Sequence, residues 1–421
     1  MNRLWPLLIA GSLAATSPQA FHLPNGLQVR LQEDHERPMV RLQFCANWDA
    51  SEIPAGREGL VGFLARLLDG SDVDGQNHEA FQRSLEDSAL RAAFCQAPGT
   101  FTWSMVGTSQ NLDPAFHGLA TAVMRPAFND AAVEALRQSL TQALAARPGR
   151  ERAEDLFLRS LQDPRSLATP EGSQLAAIQF RDLDRLRRRI LRPERAQLVI
   201  YGDLNLDQAR QLAALHFGAW GPGPEPALAP GAPVGAEQGR VWLVGDAASS
   251  LEVRVGCPLL KEGDRLLPAR ELARRLLRRE LTFGGSPDLG IAVLQDSPLV
   301  LRGVAVQGTR LEDLLKEVQE ALARLRERTW TDSDLNLVRT SWKAEQSVAL
   351  LHPRRVTEAL AARAAAGTEA AILEATSSAD IQSIIRSWLE PANLRWLVLG
   401  ARAADLAALG KAGLTPVKIV D

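Results

Sequence analysis

The chain has 421 residues, a formal net charge of −2, and 46% hydrophobic against 23% charged residues. That length exceeds one ordinary core and points to two domains of about 200 residues each. With no broad basic excess, a nucleic-acid partner is excluded.

The first element is a leader. Residues 1–20, MNRLWPLLIAGSLAATSPQA, combine one basic residue, an apolar stretch from Leu4 to Ala15 and then small residues. This reads as a short secretory signal, too short in its apolar part to span a bilayer. No cysteine lies near its end to carry a lipid anchor. A periplasmic or secreted protein is therefore expected, with no integral membrane segment after signal removal.

Asn25-Gly26 is a turn signal. Beyond it, Leu27, Val29 and Leu31 alternate along one strand and Val40, Leu42 and Phe44 along the next, the period of half-buried β structure. GREGLVGFLARLL places Leu60, Phe63, Leu64, Leu67 and Leu68 at helical spacing. LRAAFCQ and TFTWSMV read as a hairpin, NLDPAFHGLATAVM and AAVEALRQSLTQALAA as amphipathic helices, and RPERAQLVIYGDLNLDQARQLAALHFGAW as strand, turn and helix. Residues 221–239, rich in Pro, Gly and Ala, form a linker. The second half repeats the plan: strands GRVWLVGD and SLEVRVGCPL, a helix from Pro268 to Arg279, strands near 288–307, helices to about 390, and a closing strand LRWLVLGA. LVIYGDLN and WLVLGARA end their halves alike, a weak internal duplication.

Candidate chemistry is sparse. His22, His35, His78, His117, His216 and His352 have a closest spacing of 13 residues, so no helical pair of ligands exists and each is expected as an ordinary polar residue. Cys45 and Cys95 both fall in strands of the first half; they are expected as buried free thiols, with a mutual disulfide as the alternative and Cys257 free either way. Arg274, Arg275, Arg278 and Arg279 lie on neighbouring turns of one helix and read as a solvated face, or else as a site for an acidic partner.

The NGL strand, the Pro-Val strand, the helix GLVGFLARLL and the run RPERAQLVIYGD to HFGAW together resemble the insulinase or pitrilysin-type peptidases, the inverted zincins, over about residues 21–421. The resemblance implies an α+β protein of two homologous α/β sandwich halves, the LuxS/insulinase-type metalloenzyme-like fold, each a mostly antiparallel sheet covered by helices: residues 21–220, the linker 221–239, and residues 240–421. It also implies where zinc would bind. Laid on the family's His-x-x-Glu-His motif, this chain has Gly62, Ala65 and Arg66; the later glutamate ligand falls at Ala143 and its acidic neighbour at Leu136. Zinc needs nitrogen, sulfur or carboxylate donors and a base near its water, and Arg66 would bring a permanent positive charge instead. No metal or other cofactor is expected.

Two-chain members pair a zinc-bearing subunit with one that supplies an Arg and a Tyr from its second half. Here those positions are Gly284 and Ile291, and the single tyrosine, Tyr201, is in the first half. The edge strand that pairs with substrate in catalytic relatives corresponds to Arg91, Ala92 and Ala93, and a loop with Gly284, Gly285 and Gly290, interrupted by Pro287 and otherwise an ordinary turn, could guard the chamber. The implied function is a catalytically inactive, non-catalytic subunit of a heterodimeric periplasmic zinc peptidase, with a zinc-bearing relative and peptides as partners. The alternative is a stand-alone peptide-binding or structural scaffold.

Overall fold

Alternation in the first sheet is strict enough to give each strand one apolar side. In strand β3 (Met39–Asn47), Val40, Leu42, Phe44 and Ala46 are fully buried. Phe44 stacks on Phe217 with ring centroids 6.1 Å apart. The structure, a computed structural model, describes residues 18–49, 53, 57, 59–97, 99–161, 172–221, 241–244, 251–257, 267–283, 292–295, 300–304, 310–349, 351–401, 405–414 and 416–420.

The first half runs β1 (Gln19–His22), β2 (Gln28–Glu33), β3, α1 (Leu60–Asp69), β4 (Asp72–Val73), α2 (His78–Asp87), β5 (Arg91–Ala97), β6 (Thr100–Thr108), α3 (Leu112–Met124), β7 (Pro126–Ala127), α4 (Asp130–Ala146), α5 (Gly149–Ser160), α6 (Gly172–Ala177), α7 (Phe180–Ile190), β8 (Ala196–Gly202) and α8 (Leu206–Phe217). Strand β1 begins inside the stretch read as leader. The second half runs β9 (Val241–Val244), β10 (Glu252–Gly256), α9 (Leu267–Phe283), β11 (Ala292–Gln295), β12 (Val300–Val304), α10 (Leu311–Glu327), α11 (Asp332–Ala349), α12 (Pro353–Ala375), α13 (Ser378–Trp388), β13 (Arg395–Leu399), α14 (Leu406–Lys411) and β14 (Pro416–Val420). The strand LRWLVLGA is not the last: β14 follows and pairs in parallel with β9.

The sheet orders are β1-β2-β8-β3-β6-β5 and β14-β9-β13-β10-β12-β11. Replacing β2, β8, β3, β6 and β5 by β9, β13, β10, β12 and β11 converts one into the other. The directions agree: β2/β8 and β9/β13 are parallel, while β3 and β10 are antiparallel to both neighbours. The duplication is thus a repeated topology, and each half is a mostly antiparallel sheet with helices on one face. Only the outer strands differ, β1 being antiparallel to β2.

Each half also lends a helix to the other. Helix α5 lies on β9, β13 and β14 of the second sheet, where Ala153, Phe157 and Leu161 form a small core with Leu397 and Leu399. Helix α12 lies across β3 and β8 of the first sheet. There Arg30 Nη1 donates to the Leu360 carbonyl at 2.7 Å, Arg41 Nε to Thr357 Oγ1 at 3.1 Å, and Gln197 Nε2 to the Ala361 carbonyl at 2.8 Å. The face opposite each main core is therefore partly covered by a helix of the other half, while the β5 side of the first sheet stays open. No described helix is long and apolar enough to cross a membrane.

Candidate functional site

Helix α1 carries the positions that matter most. Sequence periodicity gives it one apolar face, but in the fold all of Leu60 to Ala65, with Leu67 and Leu68, are buried, because α4, α7 and β5 close on it. Gly62 and Ala65 sit inside this packing; Arg66 points to solvent. On α4, Leu136 packs against the core and Ala143 is exposed. These side chains supply no metal donor, so the residues present do not fit a zinc ion.

Two guanidiniums that the motif reading did not single out hold the neighbouring backbone. Arg57, just before α1, donates to the Ala177 carbonyl and lies 3.4 Å from Asp182. Arg137, one residue after Leu136, donates to the carbonyls of Leu175 and Ile178, the latter at 2.8 Å. Both cations meet the carbonyl end of α6, where a helix dipole favours positive charge. Nothing in the spacing of arginines along the chain marks this convergence.

The open face of the first sheet follows from register. Arg91, Val106, Arg41 and Tyr201 form one row across β5, β6, β3 and β8; Ala93, Ser104, Gln43 and Val199 form the next; Cys95, Thr102, Cys45 and Gln197 form a third. Ala92, one residue along β5, packs on the opposite, core side. Cys45 and Cys95 are thus two strands apart, about 9–10 Å by sheet spacing, beyond disulfide reach. Both are free; Cys45 and Cys257 are buried, whereas Cys95 is exposed, correcting its expected burial. Strand β5 is exposed because it is the sheet's outer strand. Burial raises the Cys45 thiol pKa, and pushes that of Cys257 up to about 12. Tyr201 donates to Asp34, and burial with that contact pushes its pKa up to about 12.

Tertiary structure pairs histidines that the chain separates widely. His117 on α3 and His216 on α8 have ring centroids 5.6 Å apart, and His216 Nε2 is 2.8 Å from Asp113. Among the described residues no group of three donors is placed to hold a metal. On α9 two of the four arginines of the expected basic face are paired with carboxylates: Arg274 and Arg275 bond to Glu271, and Arg275 also to Glu345 of α11. Gly284, Gly285, Pro287, Gly290 and Ile291 lie outside the described residues.

At the end of β2, His35 Nδ1 is 2.8 Å from Asp203 and its Nε2 3.4 Å from Glu33, while Ser109 donates to Asp203 at 2.8 Å. The hydrogen bond to Asp203, then that to Glu33, raises the His35 pKa; the same His35 contact, then Ser109, lowers that of Asp203. A raised histidine pKa gives stability that is complete below the unfolded value of about 6.5 and lost as pH rises through the folded value. For Asp203 the stability is present above about pH 3.9 and lost as pH falls through its depressed folded value. Replacing His35 with alanine should lower the melting temperature slightly at about pH 5.5 and leave it unchanged at about pH 8.5. Equal shifts at both pH values would show that the charge pairing is irrelevant.

Residues 177–341 match the family model described as the peptidase M16 inactive domain. Over that stretch the chain is M16-like. No curated protein matches it. A protease from Helicobacter pylori superposes with a TM-score of 0.70 at 13% identity, over 92% of this M16-like chain and 100% of that one. The peptidase M16 inactive domain from Pseudomonas fluorescens gives 0.69 at 14%, over 91% and 97%. The first half of the periplasmic protease PqqL from Escherichia coli gives 0.67 at 12%, over 97% and 99%. Against the structure of PqqL itself, the M16-like chain covers 51%. At these identities the likeness is one of fold, and it bears out the two-sandwich architecture and the insulinase-type resemblance.

Proposed function

We propose that this chain is a zinc-less M16 subunit, exported to the periplasm, that pairs with a zinc-bearing relative and completes its peptide chamber. The observation that supports this reading is the contrast between a reciprocally braced scaffold, among the described residues, and the Gly62, Ala65, Arg66 and Ala143 side chains at the positions that the resemblance gives to the metal ligands and base. A unit of this size also matches about half of PqqL, at 51% coverage of that chain, which supports one unit working beside another.

Tagged protein purified from its own cells and passed through a sizing column should retain a near-stoichiometric His-x-x-Glu-His relative, identified by mass spectrometry. That relative should cleave peptides faster with this chain than without it. Equal cleavage in both cases overturns the reading. One observation favours the second reading, a stand-alone peptide-binding scaffold: the single tyrosine is bonded to Asp34 in the first half, so no tyrosine is left for the substrate-holding pair expected of such a subunit. A lone monomer on the column would favour it.

A further inference from the structure

The open face of the first sheet is electropositive where α12 overhangs it. Arg91 stands at the start of the outer strand β5, exposed, with no bonded partner among the described residues. Two strands inward in the same row is Arg41, half-buried and donating through Nε to Thr357 of α12. Burial lowers the Arg41 pKa and the nearby Arg354 guanidinium lowers it further, so this charge is already poorly solvated. Arg354 and Arg355, exposed on the first turn of α12, both pair with Glu358, at 2.7 and 2.8 Å. Along α12 the contacts step from β2 and β8, at Leu360 and Ala361, to β3, at Thr357, so its first turn continues toward β6 and the outer strand.

Among the described residues, Glu358 is the carboxylate that pairs with this group of four guanidiniums, through Arg354 and Arg355. The strip beneath them is small and uncharged: Ala93, Cys95, Thr102 and Ser104 share the face. Among the described residues no strand pairs with the free edge of β5, so its alternate backbone groups can add a strand.

We propose that this face binds an extended acidic segment along β5, its carboxylates held by Arg41, Arg91, Arg354 and Arg355. This deepens, and rests on, the reading of the chain as a peptide-handling subunit, because it names the class of peptide. Charge complementarity selects the acidic peptide, while backbone pairing sets its extended form.

The test uses the full chain and three fluorescein-labelled peptides of equal length, alternating serine with aspartate, threonine or lysine, read by fluorescence anisotropy. The aspartate peptide should bind tightest, and its affinity should fall with added salt. Reversal of both exposed arginines, Arg354→Glu with Arg355→Glu, should weaken it at least about tenfold. Arg91→Glu should act in the same direction. Lys316→Glu, on α10 of the second half, should leave binding unchanged, and thermal unfolding of each variant checks that the fold is kept. If the threonine peptide binds as tightly and the arginine reversals change nothing, the acidic preference is wrong and peptide handling stands. If no peptide binds while the chain still accelerates its partner, the groove is wrong and the subunit reading stands. If it neither binds nor accelerates, both fall.

Discussion

Replacing Glu252 with alanine should lower the stability of the entire chain by about 3–5 kcal/mol, the usual loss when one member of a buried ion pair is removed. Glu252 is fully buried on β10. Its carboxylate accepts from Arg254 Nε at 2.6 Å and from Arg150 Nη2 of α5 at 2.8 Å. Glu154, also on α5, accepts from Arg150 Nε at 3.1 Å and from Arg254 Nη2 at 2.9 Å. The four charges alternate across the contact between the first half's helix and the second half's sheet. Without Glu252, the buried guanidinium of Arg254 and the partly exposed one of Arg150 face each other with Glu154 as their shared acceptor. Because α5 reports on both halves, urea unfolding followed by tryptophan fluorescence and by circular dichroism should shift together to lower denaturant. A loss below about 1 kcal/mol, the range of exposed pairs, would show that this network does not brace the halves.

The second large effect is expected at Gly202, the last residue of β8. Its φ of +137° is one that side chains rarely adopt, and a Cβ there would stand 2.1 Å from the Met39 carbonyl oxygen and 2.9 Å from Val40 Cα. That oxygen cannot retreat freely, since it accepts from the Asp203 amide at 2.9 Å, and the Gly202 carbonyl in turn accepts from Asp34. Gly202→Ala must part β8 from β3 at the Val40 pairing, and we expect a loss of about 3 kcal/mol or more. Gly75, with φ +81° and nothing within 4 Å of its would-be Cβ, provides the contrast: alanine there meets backbone strain alone, about 1–2 kcal/mol. Similar midpoints for the two variants in urea would overturn the steric account.

Much of this architecture was legible because it is local. Period-2 stretches such as Val40, Leu42 and Phe44, and helical spacing such as Leu60, Phe63, Leu64 and Leu67, declare their elements within a few residues of chain. Helix α9 ran only a little further than expected, from Leu267 to Phe283. Helix α5 is harder to see: half of GRERAEDLFLRS is charged, since its partners are a charged network and a few apolar residues on the other half. Strand β14 escaped for a related reason, being short and ordered by its pairing with β9.

The chemistry of the site divides in the same way. By itself the sequence determined the individual strands and helices and a weak duplication, because residue type and local period need no partner to be read, and its family resemblance implied the two-sandwich plan and singled out positions 62, 65, 66 and 143. Only the tertiary structure decided that Cys45 and Cys95 stand two strands apart, that His117 meets His216, that Arg57 and Arg137 converge on α6, and that α5 and α12 cross to the opposite sheets. Each of these joins residues far apart in the chain, and their proximity is set by strand register and the closing of one half upon the other, which no local pattern encodes.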